Sequence, residues 1–160
     1  METELEQLAV QCGRALRDRG WRLVTAESCT GGWVAKCVTD IAGSSSWFDR
    51  GFVTYSNAAK RDLLGVTTAT LDAHGAVSEA TVGEMAIGAL ERGGGNISLA
   101  VSGIAGPDGG TPKKPVGTVW FAWKAGDADV VTRKCRFDGN REAVRRRSVV
   151  VALEGVLSLV

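Results

Sequence analysis

The stretch Arg22-Leu23-Val24-Thr25-Ala26-Glu27-Ser28-Cys29-Thr30-Gly31-Gly32-Trp33 sets an apolar, strand-like run against a glycine pair and the start of a helical pattern. Arg22 to Thr25 reads as a short strand, and Trp33 to Ile41 as a helix closed by Ala42-Gly43. Between them lie a hydroxyl, a thiol and a second hydroxyl, immediately before two residues that tolerate unusual dihedrals. The N–H groups of Cys29 to Gly32 at a helix start suit an anion, an acyl group or a phosphate, and the segment does not choose among them. A plain Ser/Thr cap on a glycine turn is the competing reading. The spacing matches neither a Gly-x-Ser-x-Gly nucleophile elbow nor a P-loop.

Working outward, helices alternate with strands. Thr3-x-x-Glu6 reads as a capping box for a helix carrying Leu5, Leu8, Ala9, Cys12 and Leu16, with Gly20 past its end. Phe48 to Tyr55 has strand composition, and Ser56 or Asn57 caps a helix over 58–64. A short helix is predicted over 66–73. Ser78 caps the next one, with Val77 and Val82 as its staple, running to about Arg92. Strands follow at 97–101, 116–123 and 130–137, the last two joined at Gly126-Asp127. Asn140 caps a final helix whose stripe is Val149, Ala152, Leu153, Val156 and Val160. Early alternation and a late hairpin predict an α/β fold: one domain over 1–160, with a mixed sheet between helices. The loop 103–117 holds five glycines and all three prolines, and irregular loops that long tend to be functional.

Lys and Arg number 19 against 18 Asp and Glu, so the net charge of +1 exerts no global pull toward nucleic acid or an anionic membrane. No apolar run reaches the roughly 18–20 residues of a membrane span. The acidic start Met1-Glu2-Thr3-Glu4 lacks a signal-peptide pattern. The cysteines at 12, 29, 37 and 135 include no Cys-x-x-Cys pair, and His74 is the only histidine. A zinc site and a disulfide framework are therefore not expected, and a reducing cytoplasm is.

A hydroxyl such as that of Ser28 needs a base. His74, in a turn before Gly75, has a weak claim. Lys60 has a stronger one: with Asn57 as the cap it occupies the first helical turn, where the dipole disfavours a cation and, with partial burial, lowers its pKa. Lys36, two turns into its helix, feels no such field. No Ser-x-x-Lys occurs, so a Ser–Lys pair has to form across the fold. Tyr55, the only tyrosine, either relays a proton, stacks on a ring or stands at a rim. Ser102-Gly103-Ile104-Ala105-Gly106-Pro107-Asp108 follows a buried strand, where α/β sheets bind ligands, or else forms a rigid turn system. Arg141 and Arg145 share a helix face and suit a substrate phosphate or plain solvation, with nucleic acid the weakest reading. Trp33, Trp47, Trp120 and Trp123 read as core.

Taken together, Thr25–Gly32, Arg50–Asn57 with Lys60, His74–Glu79, Ser102–Gly110 and Lys114–Trp120 resemble the CinA carboxy-terminal domain family, in its stand-alone nicotinamide-nucleotide amidase form. The motifs occur in family order and span nearly the whole chain. The resemblance implies a three-layer α/β/α domain and hydrolysis of the carboxamide of nicotinamide mononucleotide, within pyridine-nucleotide recycling. It implies Ser28 as nucleophile, Lys60 as base and Tyr55 as an assisting group. Cys29, Thr30, Gly31, Gly32, Asn57, Ser102 and Gly103 would contact substrate, with Arg145 on its phosphate. It implies no metal or organic cofactor, and a homodimer by analogy. Full-length CinA proteins carry a further N-terminal domain for which this chain has no room. The alternative kept beside it is a non-catalytic nucleotide-binding or competence- and DNA-damage-linked interaction module.

Overall fold

The computed structural model describes residues 3–160; Met1 and Glu2, which open the acidic start noted above, lie outside the described residues. Strands β1 (Leu23–Glu27), β2 (Phe48–Val53), β3 (Ile97–Gly103), β4 (Thr118–Ala125) and β5 (Val131–Arg136) form one mixed sheet in the order β2-β1-β3-β4-β5. β1 is parallel to both β2 and β3, and the β3–β4 and β4–β5 pairs are antiparallel. The helices are α1 (Glu4–Arg19), α2 (Trp33–Thr39), α3 (Asn57–Leu64), α4 (Thr68–His74), α5 (Glu79–Arg92) and α6 (Arg141–Leu159). Their starts follow local chemistry: Thr3 and Glu6 close the capping box of α1, while Ser56, Thr67, Ser78 and Asn140 cap α3, α4, α5 and α6.

The layers follow from handedness. From β1 the chain steps to β2 through α2, then returns across β1 to β3 through α3, α4 and α5. Parallel crossovers are right-handed, so reversing direction puts the two connections on opposite faces. On one face α1, α2 and α6 pack Leu16, Val34, Val38, Val149 and Leu153 against Leu23, Leu99, Val101 and Phe121. On the other, Leu64, Leu71, Val82, Met85 and Ala89 meet Val24, Ala26, Ala100 and Ala122. Alternation along each strand sends its neighbours to opposite faces. Small residues on the second face let α5 lie close to the sheet, where Ser98 Oγ donates to the Ala86 carbonyl of α5 at 2.6 Å. Gly88 performs the same service for α3, since a Cβ there would stand 1.8 Å from the Leu64 carbonyl oxygen.

Several boundaries move for a visible reason. β1 runs to Glu27 rather than Thr25 because Ala26 and Glu27 pair with both flanking strands. β2 stops at Val53 rather than Tyr55: Thr54 N–H still donates to the Glu27 carbonyl, and the chain then turns away into α3. Trp47 and Trp123 are core, and Trp33 and Trp120, half-buried, pack against the two core clusters. No helix among the described residues is long and apolar enough to cross a membrane.

Candidate active site

Ser28 follows directly on β1, the strand between two parallel neighbours, and its N–H donates to the Val101 carbonyl on β3. Its hydroxyl therefore opens at the carboxyl ends of the parallel strands, where the chain divides between the two faces. Lys60 reaches it from α3. The Lys60 Nζ lies 3.0 Å from Ser28 Oγ, 3.1 Å from the Thr54 carbonyl oxygen and 3.0 Å from the Tyr55 carbonyl oxygen. Lys60 is 1 % exposed and Ser28 7 %.

Lys60's lowered basicity, expected from the helix dipole with partial burial, rests on the burial. Ser56, not Asn57, is the cap, and Lys60 N–H donates to the Ser56 carbonyl within the helix. The ammonium thus sits one residue beyond the first-turn position assumed for it. Desolvation of the buried side chain is what pushes its pKa below the usual 10.5. None of the ion pairs among the described residues involves Lys60. As an ammonium, Lys60 donates to Ser28 Oγ and to both carbonyls, while the Ser28 hydroxyl donates to the Tyr55 carbonyl at 3.4 Å. Once the amine is neutral, its two hydrogens can stay on the carbonyls and its lone pair turns to the Ser28 hydroxyl. That is the geometry of a general base.

The loop behind the hydroxyl is braced on two sides. Glu27, fully buried, accepts from the Thr30 hydroxyl at 2.6 Å and from the Val34 and Ala35 N–H groups at 2.9 and 3.0 Å. It thereby holds the orphan donors that start α2. Arg145, from α6, donates to the Cys29 carbonyl at 3.0 Å and to the Thr30 carbonyl at 3.1 Å. Because C=O and N–H point oppositely across a trans peptide, the Thr30 and Gly31 N–H groups turn away from Arg145. Gly31 N–H donates to the Ser28 carbonyl, while the Cys29 and Thr30 N–H groups have no partner among the described residues. Positive φ at Gly31 (59°) and Gly32 (100°) makes this turn.

A cavity of about 270 Å³ opens over this pair, walled by Ser28, Cys29, Tyr55, Lys60, Ser102 and Gly103 and continuing along Ile104–Gly106, Asp108 and Arg141. Of the residues expected at the site, these six converge. Thr30, Gly31, Gly32 and Arg145 line a separate depression behind the loop. Asn57 is exposed in the first turn of α3 and lines neither. Tyr55 reaches the dyad through its main chain; its ring is 62 % exposed, and its Oη accepts from Arg141 at 3.3 Å. Arg141 also donates to the Gly106 carbonyl at 2.8 Å, which holds its guanidinium on the cavity wall. Burial pushes the Cys29 thiol up to about 12, so it stays protonated and unreactive.

Two residues were not assigned roles from sequence. Glu27 was quoted without one, although an acid closing an apolar strand just before a helix start is a capping signal. Arg141 was passed over for Arg145, which shares its helix face and was expected on the phosphate; the tertiary placement of the loops puts Arg141 on the cavity wall and Arg145 behind the loop.

Residues 5–160 match the CinA C-terminal domain. The chain is 57% identical over 156 residues to a nicotinamide-nucleotide amidohydrolase PncC of Enterobacter agglomerans, covering 98% of this chain and 95% of that one. It is 58% identical over 153 residues to the protein of the same name from Escherichia coli strain K12, covering 96% and 93%. The crystal structure of the competence/damage inducible protein CihA from Agrobacterium tumefaciens superposes with a TM-score of 0.96 at 48% identity, covering 99% of this chain and 97% of that one. The family expected from the five motifs and the fold expected from the alternation of elements meet here: the chain belongs to the CinA C-terminal domain family.

Proposed function

We propose that this protein is an amidohydrolase that converts nicotinamide mononucleotide to nicotinic acid mononucleotide and ammonia, through a serine nucleophile activated by lysine. The observation that carries the mechanism is the 3.0 Å contact between a buried, unpaired Lys60 amine and Ser28 Oγ on the cavity wall. The substrate comes from the relatives named nicotinamide-nucleotide amidohydrolase at 57–58% identity over nearly their whole length.

In the first step neutral Lys60 takes the Ser28 proton as Oγ attacks the carboxamide carbon. The Cys29 and Thr30 N–H groups receive the oxyanion. Collapse breaks the C–N bond, and the Lys60 ammonium returns its proton to the departing ammonia. Water, deprotonated by Lys60, then attacks the Ser28 ester; the ester C–O bond breaks, the Lys60 ammonium returns the proton to Ser28 Oγ, and the carboxylate leaves. Arg141 is the proposed phosphate ligand, because among the α6 arginines it is the one on the cavity wall. Tyr55 steadies that arginine through its hydroxyl and serves the dyad through its carbonyl. The reaction calls on no metal or organic cofactor.

A binding module without chemistry gives no reason to bury an unpaired amine, which is costly to desolvate. The proposed setting is the cytoplasm, in keeping with four free cysteines, and the proposed assembly is a homodimer, testable by light scattering. The deciding experiment is ammonia release from nicotinamide mononucleotide by wild type and by Ser28→Ala. Release by wild type alone is expected. Equal release by Ser28→Ala removes the nucleophile assignment, and no release by folded wild type removes the substrate.

A further inference from the structure

Beside the catalytic cavity lies a second one, of about 320 Å³, that the amidase chemistry does not use. Its walls come from the end of α4 (His74), the start of α5 (Val77, Ser78, Glu79), the loop residues Lys113 and Lys114, Trp120 of β4 and Lys134 of β5. Strand register explains why these meet. Trp120 stands opposite Ser102 on one side and opposite Lys134 on the other, so the three form one cross-strand row on one face. Ser102 ends that row in the catalytic cavity, and Val77 lines both cavities.

Two features give the second cavity a chemistry. Trp120, expected in the core, packs half-buried against the core cluster of the α5 face and also lines this opening, with the Lys134 ammonium over its ring at 6.0 Å from the centroid. Lys113, Lys114 and Lys134 belong to none of the ion pairs among the described residues. Lys114 donates to the His74 carbonyl at 2.5 Å, which holds it at the rim. Glu79 is the one carboxylate on the wall, and it accepts from the Thr132 hydroxyl. Positive charge therefore exceeds negative around an indole surface.

From this we infer that the protein carries a second nucleotide site, separate from the catalytic one, for a single nucleotide with a polyphosphate chain. The base takes the place of the Lys134 ammonium over Trp120, and Lys113, Lys114 and the displaced Lys134 hold the phosphates as point charges. The volume admits one nucleotide, and a net charge of +1 supplies no track for a strand of nucleic acid.

The test is calorimetric titration of the full chain with ATP, adenosine and inorganic tripolyphosphate, independent of any turnover. We expect one ATP per chain, with adenosine and tripolyphosphate each at least tenfold weaker. The double variant Lys113→Gln, Lys134→Gln is expected to lose at least tenfold in ATP affinity while keeping wild-type melting and ammonia release within twofold. Saturating nicotinamide mononucleotide on Ser28→Ala should leave ATP bound. No ATP binding overturns the inference, as does unchanged affinity in the double variant. Displacement by the mononucleotide moves ATP to the catalytic cavity, and tripolyphosphate binding as tightly as ATP reduces the site to an anion patch. Either of those results also overturns it. Failure of the amidase assay leaves this titration interpretable, because it reads binding alone.

Discussion

Replacing Lys60 with methionine keeps the side chain's length and apolar stem but removes the amine that faces Ser28. A positioned base contributes about 10²–10⁴ in rate, which at 1.36 kcal/mol per decade is roughly 3–5 kcal/mol of barrier. Stability responds differently, because two effects oppose. The Thr54 carbonyl loses its side-chain donor, at about 1–3 kcal/mol for an acceptor left dry, while the Tyr55 carbonyl keeps the Ser28 hydroxyl. Against that, a desolvated amine whose burial costs several kcal/mol is gone. The net change should fall within about 2 kcal/mol, or roughly 8 °C in melting temperature for a domain of this size.

The sign in pH follows from the lowered pKa of Lys60. Between that value and the usual 10.5, the unfolded chain holds a proton that the native one does not. Wild-type stability therefore rises with pH across that window, and Lys60→Met lacks the rise. In the same way kcat/KM of wild type should climb as pH passes the lowered pKa and the amine becomes neutral. The assay is ammonia release from nicotinamide mononucleotide across pH, beside thermal melts. Turnover by folded Lys60→Met within tenfold of wild type would refute the assignment of Lys60 as base.

Arg141→Ala should raise KM for nicotinamide mononucleotide at least tenfold, with little change toward nicotinamide riboside, which lacks the phosphate; equal losses on both would exclude a phosphate contact. Arg145→Ala should instead lower kcat, by about 10–100-fold if one oxyanion donor is loosened, with KM within threefold and partial recovery in Arg145→Lys. A rise in KM alone would return Arg145 to the phosphate. Gly88→Ala forces α3 away from α5, and overpacking of about 1–3 kcal/mol should lower the melting temperature by roughly 2–12 °C. Turnover should fall with it, since Lys60 rides on α3; an unchanged melting curve would show that the helices can separate freely.

Much of the local structure was legible because it is written in neighbouring residues. The capping box Thr3–Glu6, the caps at Ser78 and Asn140, and Gly20 at the end of α1 answer local needs of helix ends. Element ends slipped where the cause was long-range. Ala26 and Glu27 join β1 only because strands from residues 48–53 and 97–103 flank them, and no local rule reports that pairing. The low basicity of Lys60 was expected from a helix dipole together with partial burial, and the burial, by distant segments, is the part that only the fold supplies.

By itself the sequence determined the kinds of element, their order and the residues able to do chemistry, because periodicity, capping and side-chain identity are local properties. It placed a hydroxyl before paired glycines and a lysine near a helix start. The tertiary structure alone decided which of them meet. Handed crossovers bring residues 32 positions apart to 3.0 Å, and turn the Tyr55 carbonyl rather than its ring toward the amine. Of two arginines on one helix face, they put Arg141 in the cavity and Arg145 behind the loop. A turn of α6 separates that pair, and only the packing of α6 against the sheet and loops distinguishes a guanidinium on the cavity wall from a brace.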